Sequence, residues 1–190
     1  MNIFICICAS NRPFFLDETL YSLTKLNKPK QIKLNIIVVE NNITKRNKLI
    51  VNKYKNNSKF KIFYEIELKK GIVYSRNKFL KYINFKNIKI DLIGFIDDDC
   101  TVDKNWLKNH IFSLKTSHSS ISTGPQLSNF FNNDNEKIIY QLTNKFIKKN
   151  LSFTNWAATN NVILKYKIIK NSKIYFDKYL NNIGGSGQLF

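Results

Sequence analysis

Acids are scarce in this chain: 13 Asp and Glu stand against 31 Lys and Arg, a formal net charge of +18 over 190 residues. Arginine is scarcer still, with Arg12, Arg46 and Arg76 the only three. The three cysteines form neither a CxxC pair nor a metal-ligand spacing, so the expectation is reduced, buried thiols in a cytoplasmic protein. No apolar run approaches the roughly 18 residues needed to span a bilayer. The opening NIFICIC has no basic region before it and no small-residue cleavage site, so it is expected to be a core strand and not a signal peptide. No solenoid repeat and no low-complexity linker divides the chain.

What is present is apolar surface, 43% hydrophobic residues with 14% aromatics, enough for one domain with a real core. The charge would ordinarily suggest a nucleic-acid or anionic-membrane partner. Its lysines, however, are scattered among Asn and Ile along the whole sequence. Where lysine is the default cation, the few arginines mark places that want a planar, bidentate fork.

Continuous apolar runs alternate with helical patterns. Asn2 to Ala9 reads as a strand, SNRP as a loop and Phe14 to Leu26 as a helix. The unit recurs as KLNIIVVE, NNITKR and a short basic helix from Asn47 to Tyr54, then as FKIFYEIE and GIVYSRNKFLKYI. A fourth strand, DLIGFI, runs into Asp97, Asp98 and Asp99. VDKNWLKNHIFSL reads as a helix, SSISTGPQL as a strand with a Gly-Pro turn, Asn135 to Lys149 as an amphipathic helix, and TNWAATNNVILKYKII as a strand leading into a helix. The expected fold is α/β, a mostly parallel central sheet with helices on both faces. Ligands of such sheets bind outside the carboxyl ends of the strands, which points to Ser10 to Pro13, Glu40 to Asn42 and Asp97 to Asp99.

Three adjacent carboxylates cost free energy unless a cation or hydrogen bonds compensate. At the end of a buried strand they suit Mg2+ or Mn2+, hard ions that take one or two carboxylates and complete their shell with water and phosphate oxygens. Asp99 is the expected ligand, with Asp97 beside it or on ribose or sugar hydroxyls. The plainer alternative is a helix start, with Asp103 as N-cap and acids favoured by the helix dipole. That accounts for Asp103 and leaves Asp97 and Asp98 unexplained.

The pieces CASNRPFFLDETLYSL, NIIVVENN, KKGIVYSRNKFL, IGFIDDDCTVDKNWL, STGP, TNWAATNNVIL and FDKYLNNIGGSGQLF resemble, in order and rough spacing, the family 2 glycosyltransferases of GT-A fold. The resemblance covers essentially the whole chain. It implies a single domain over residues 1–190, with a nucleotide-sugar-binding half (1–103) and an acceptor-side half (104–190). It implies donor contacts from Ser10, Asn11, Arg12, Glu40, Arg76, Asn77, Asp97 and Asp98, a divalent metal on Asp99 and Asp97, and acceptor-side roles for Gly124, Trp156, Asn160, Gly184, Gly185 and Ser186. The implied reaction is inverting transfer from a nucleotide-diphosphate sugar to a saccharide or lipid-linked acceptor in surface polysaccharide assembly. Peripheral contact with an anionic membrane is compatible with the lysines, and no nucleic-acid partner is expected.

The pattern breaks in one place. Members of the family usually carry an acid after Gly-Gly-x that deprotonates the acceptor, whereas this chain reads GGSG and places Gly187 there. Glycine cannot abstract a proton, so the base is unassigned and the chain is expected to be a truncated or inactive relative. Asp177 is the nearest acid and is expected to be structural; His110 and His118 are expected to be ordinary packing or surface residues. Two other readings remain. FIDDDCT also fits an Asp-x-Asp-x-Thr phosphohydrolase with Asp97 as nucleophile, but no acidic pair follows it. A basic, non-enzymatic module is the other, and it predicts a one-sided lysine face.

Overall fold

The computed structural model describes residues 1–86, 88–126, 134, 151–154, 157–172 and 175–183. The helix expected over 135–149 lies outside them, as do Trp156 and Gly184 to Gly187.

Six strands form one sheet: β1 (Asn2–Ala9), β2 (Lys33–Glu40), β3 (Lys61–Ile66), β4 (Leu92–Asp97), β5 (Ile121–Thr123) and β6 (Val162–Lys165), in the order β3-β2-β1-β4-β6-β5. The first four strands are parallel; β6 runs antiparallel to both β4 and β5. The helices are α1 (Pro13–Thr24), α2 (Asn47–Lys53), α3 (Ile72–Phe85), α4 (Trp106–Thr116), α5 (Tyr166–Ser172) and α6 (Leu180–Ile183). The mostly parallel α/β architecture read from the sequence is the one found.

Alternation along β1 divides the core in two. Ile3, Ile5 and Ile7 pack with Leu16, Leu20 and Leu23 of α1 and with Leu107 and Leu114 of α4. Phe4 and Cys6 face the other way, against Val73, Phe79 and Leu80 of α3 and Ile169 of α5. A strand covered on both faces is a near-continuous apolar run, as β1 is from Ile3 to Ala9 and β2 from Ile36 to Val39.

Gly94, in the middle of β4, is required by space. A Cβ there would stand 2.7 Å from Cδ1 of Ile5 and 2.9 Å from the Val162 carbonyl oxygen. The glycine lets β4 lie against β1 and β6 at once.

Two local expectations differ from what is found. Helix α4 begins later, with Asn105 as the residue before it and no side-chain cap. Asp103 instead accepts the Asn105 N–H at 2.8 Å, a turn closed before the helix starts. Only Cys6 is buried; Cys8 and Cys100 are partly exposed, and all three thiols are free.

Candidate functional site

The register puts Ala9 beside Glu40 and Cys8 beside Asp97, so the loops after β1, β2 and β4 meet at one carboxyl edge. Glu40 has no exposed surface. Its Oε1 accepts the Asn11 N–H at 3.2 Å, and its Oε2 accepts the Asn47 N–H at 3.3 Å and the Tyr64 hydroxyl at 3.5 Å. One carboxylate thus ties the loop after β1 to the start of α2. Asn11 bends that loop with φ at 54°, the left-handed region that asparagine tolerates better than most residues.

The three aspartates divide by direction. Asp98 is wholly buried and accepts from Arg12 through both of its oxygens, with the Ser10 N–H adding a contact at 3.3 Å. Its own carbonyl takes the buried Thr19 hydroxyl at 2.9 Å, which fastens the acidic loop to α1. Burial pushes the Asp98 carboxyl up to about 6, against the pull of Arg12. Asp97 and Asp99 keep 30% and 41% of their side chains exposed. Burial also raises the Asp97 carboxyl, Arg76 opposes this, and the charge of Asp99 adds to it.

Arg12 spans the pair, its Nη1 standing 2.8 Å from Asp99 Oδ2. Arg76 approaches from below: it is 3% exposed, lies 3.6 Å from Asp97 Oδ1 and stacks on the Phe176 ring at 5.4 Å. The fork geometry that singles out arginine is therefore used on this chain's own carboxylates. Asn77 clasps the Phe176 backbone from both sides, at 2.8 and 2.9 Å. Of the residues expected to meet the donor, Glu40, Arg76, Asn77 and Asp98 turn inward, while Ser10, Asn11, Arg12 and Asp97 line the open edge together with Asp99, the expected metal ligand.

On the β5–β6 side a neutral network is built around Asn161. Its Oδ1 accepts from Trp106 Nε1 at 2.8 Å and lies 3.0 Å from His110 Nε2, while its Nδ2 donates to the Pro125 carbonyl at 2.9 Å. His110 Nδ1 is 2.9 Å from the Ser122 hydroxyl, and burial lowers the imidazole pKa. Gly124 packs against Asn161, and Asn160 reaches Gln126 at 3.1 Å. Asn161 was not legible as the hub because it is one of two adjacent asparagines, and only burial separates their roles. Trp156, Gly184, Gly185 and Ser186 lie outside the described residues.

The sequence profile of Glycosyl transferase family 2 matches residues 4–174. The chain belongs to that family. Sequences similar to it include the succinoglycan biosynthesis protein ExoM of Rhizobium meliloti (strain 1021), 30% identical over 125 residues, which are 66% of this chain and 38% of ExoM. Among solved structures, S. aureus TarS 1-349 in complex with UDP superimposes with a TM-score of 0.73 at 21% identity, covering 99% of this chain and 53% of that one. The mannosyltransferase PcManGT from Pyrobaculum calidifontis, in complex with GDP-Man and Mn2+, gives 0.72 at 12% identity, covering 97% and 49%. At these identities the structures establish the GT-A fold alone. The chain spans 38% of the length of ExoM and about half of the structural neighbours.

Among the described residues, no three His, Cys, Asp or Glu side chains gather where they could hold a metal. Asp97 and Asp99 form a two-carboxylate set, which is what Mg2+ or Mn2+ takes when water and phosphate oxygens supply the rest. The set fits such an ion provided that Arg12 releases Asp99. No helix among the described residues is long and apolar enough to cross a membrane.

Proposed function

We propose that this family 2 domain binds a nucleotide-diphosphate sugar at the carboxyl edge of β1, β2 and β4. The transfer would go, with inversion, to a saccharide or lipid-linked acceptor in surface polysaccharide assembly. Residues 1–103 form the donor half and residues 104–190 the acceptor half. A cytoplasmic place at the membrane's inner face goes with this reading. The observation that carries it is the division of the aspartates: Asp98 is held inside by Arg12, and Asp97 and Asp99 are left facing the open edge.

The roles follow from position. Ser10 and Asn11 present the loop that would lie along the nucleotide, and Glu40 and Asp98 hold that loop in shape from within. Arg76 and Asn77 act from beneath, Arg76 by orienting the Asp97 carboxylate and Asn77 by fixing Phe176 under the arginine. A divalent ion on Asp97 and Asp99 would supply Lewis-acid stabilisation of the leaving diphosphate. The acceptor hydroxyl attacks the anomeric carbon in line as the bond to the diphosphate oxygen breaks. The acceptor proton needs a base, and Gly187 provides none. We therefore assign this chain donor binding and hold that its transfer step is deficient at that position. Gly124, Asn160 and the Gly184 to Ser186 stretch belong to the acceptor side, with Trp156 as a face for sugar stacking.

The resemblance to ExoM supports the polysaccharide context, and the UDP and GDP-Man complexes of the neighbours support a nucleotide-sugar donor. Thermal unfolding in a panel of UDP- and GDP-sugars with Mg2+ or Mn2+ tests the assignment. One base family should raise the midpoint and the other should not. A midpoint unmoved by every nucleotide sugar but raised by RNA would replace the proposal with the basic-module reading.

A further inference from the structure

The loop joining β2 to α2 and the loop joining β3 to α3 lie side by side. The Asn41 side chain donates to the carbonyls of Glu67 and Lys69 at 2.8 Å each and accepts the Gly71 N–H at 2.7 Å. The stitched pair carries three large aliphatic side chains turned to solvent: Ile43, Leu68 and, in the first turns of α2, Leu49, at 76%, 70% and 77% exposure. Between them stand Lys45, Arg46, Lys69 and Lys70, all exposed. The one acid in these loops, Glu67, has its carboxylate on the Lys69 N–H.

We propose that these two loops dock the protein on an anionic lipid bilayer. Aliphatic tips separated by basic residues match an interface in which tips enter the acyl boundary while ammonium and guanidinium groups stay at phosphate depth. Nucleic acid would use the cations and leave Ile43, Leu49 and Leu68 without a partner. A protein interface would need the apolar groups contiguous, and the intervening lysines separate them. Docking sets the carboxyl edge beside the lipid surface and so deepens the donor-site proposal by favouring a lipid-linked acceptor. The surface itself does not depend on that reading.

Co-sedimentation with vesicles of phosphatidylcholine, alone or mixed with phosphatidylglycerol, tests it, with nucleotide binding measured on the same samples so that either proposal can fail alone. The chain should pellet with the anionic vesicles only. The combined variant Ile43→Ser, Leu49→Ser, Leu68→Ser should lower partition at least about tenfold, because three aliphatic insertions are lost. Lys30→Gln with Lys81→Gln and Lys89→Gln, the same number of changes away from these loops, should lower it less than about threefold. All six side chains are exposed, so circular dichroism of both variants should match the parent. Equal losses in the two variants, an unchanged serine variant, or no pelleting with either vesicle would overturn the proposal.

Discussion

The carboxyl edge of β1, β2 and β4 and the β5–β6 corner stabilise their polar groups by different means. At the carboxyl edge, two fully buried carboxylates, Glu40 and Asp98, take loop N–H groups and the Arg12 fork. At the corner, Asn161 joins Trp106, His110 and Pro125 through neutral hydrogen bonds. The difference explains the use of scarce acids: those turned inward hold loops in shape, and two others of the same cluster stay partly exposed at the edge, each beside an arginine. Charged supports cost more when broken, because a buried carboxylate without its partner keeps its desolvation penalty.

Gly94 lies in β4, which runs into the acidic loop and pairs with β6, so its replacement should have the largest effect. Gly94→Ala forces a methyl against Ile5 and the Val162 backbone, and should destabilise the fold by about 3 kcal/mol in denaturant titration. Arg12→Ala comes next. It strands the Asp98 carboxylate, but water can approach from the half-exposed guanidinium side, so a loss of about 2 kcal/mol is expected, below the full cost of a buried pair. Arg46→Ala, on an exposed residue, should change stability by less than about 0.5 kcal/mol in the same titration. Equal losses in the two arginine variants would contradict charged support at the carboxyl edge.

At the corner, Asn161→Ala leaves Trp106 and His110 without their shared acceptor. The expected loss is about 1 to 2 kcal/mol, with faster amide exchange in β5 and β6 than in β1 and β2. The smallest effect is one of pH. Burial depresses the folded-state pKa of His110, so the unfolded chain binds the proton more readily. Stability from this group is present above the ordinary histidine value near about 6.5 and is lost as pH falls through the folded value. His110→Gln should remove a slope of at most about one proton from stability against pH in that acid range.

The four parallel strands were legible because strands covered on both faces are nearly continuous apolar runs, and KLNIIVVE matches β2 residue for residue. The acidic loop was legible because three like charges need a compensating partner. What was not legible is direction. Nothing local distinguishes Asp98, which turns in, from Asp97 and Asp99, which face out; that depends on Arg12, more than eighty residues earlier in the chain. Arg76 was singled out for its fork, but that the fork serves Asp97 and stacks on Phe176 follows from contacts between distant segments. The corner was least legible, because β5 and β6 have only three and four residues and their support comes from side chains on three separate segments.

The account rests on Asp97 and Asp99 being the open pair. The most direct test is calorimetry of UDP and GDP binding, with and without Mn2+, to the parent chain and to Asp99→Asn. One nucleotide should bind in a Mn2+-dependent way, and Asp99→Asn should abolish that dependence while leaving the fold intact. Equal binding by parent and variant, or no nucleotide binding by a folded parent, would contradict the assignment of this edge as the donor site.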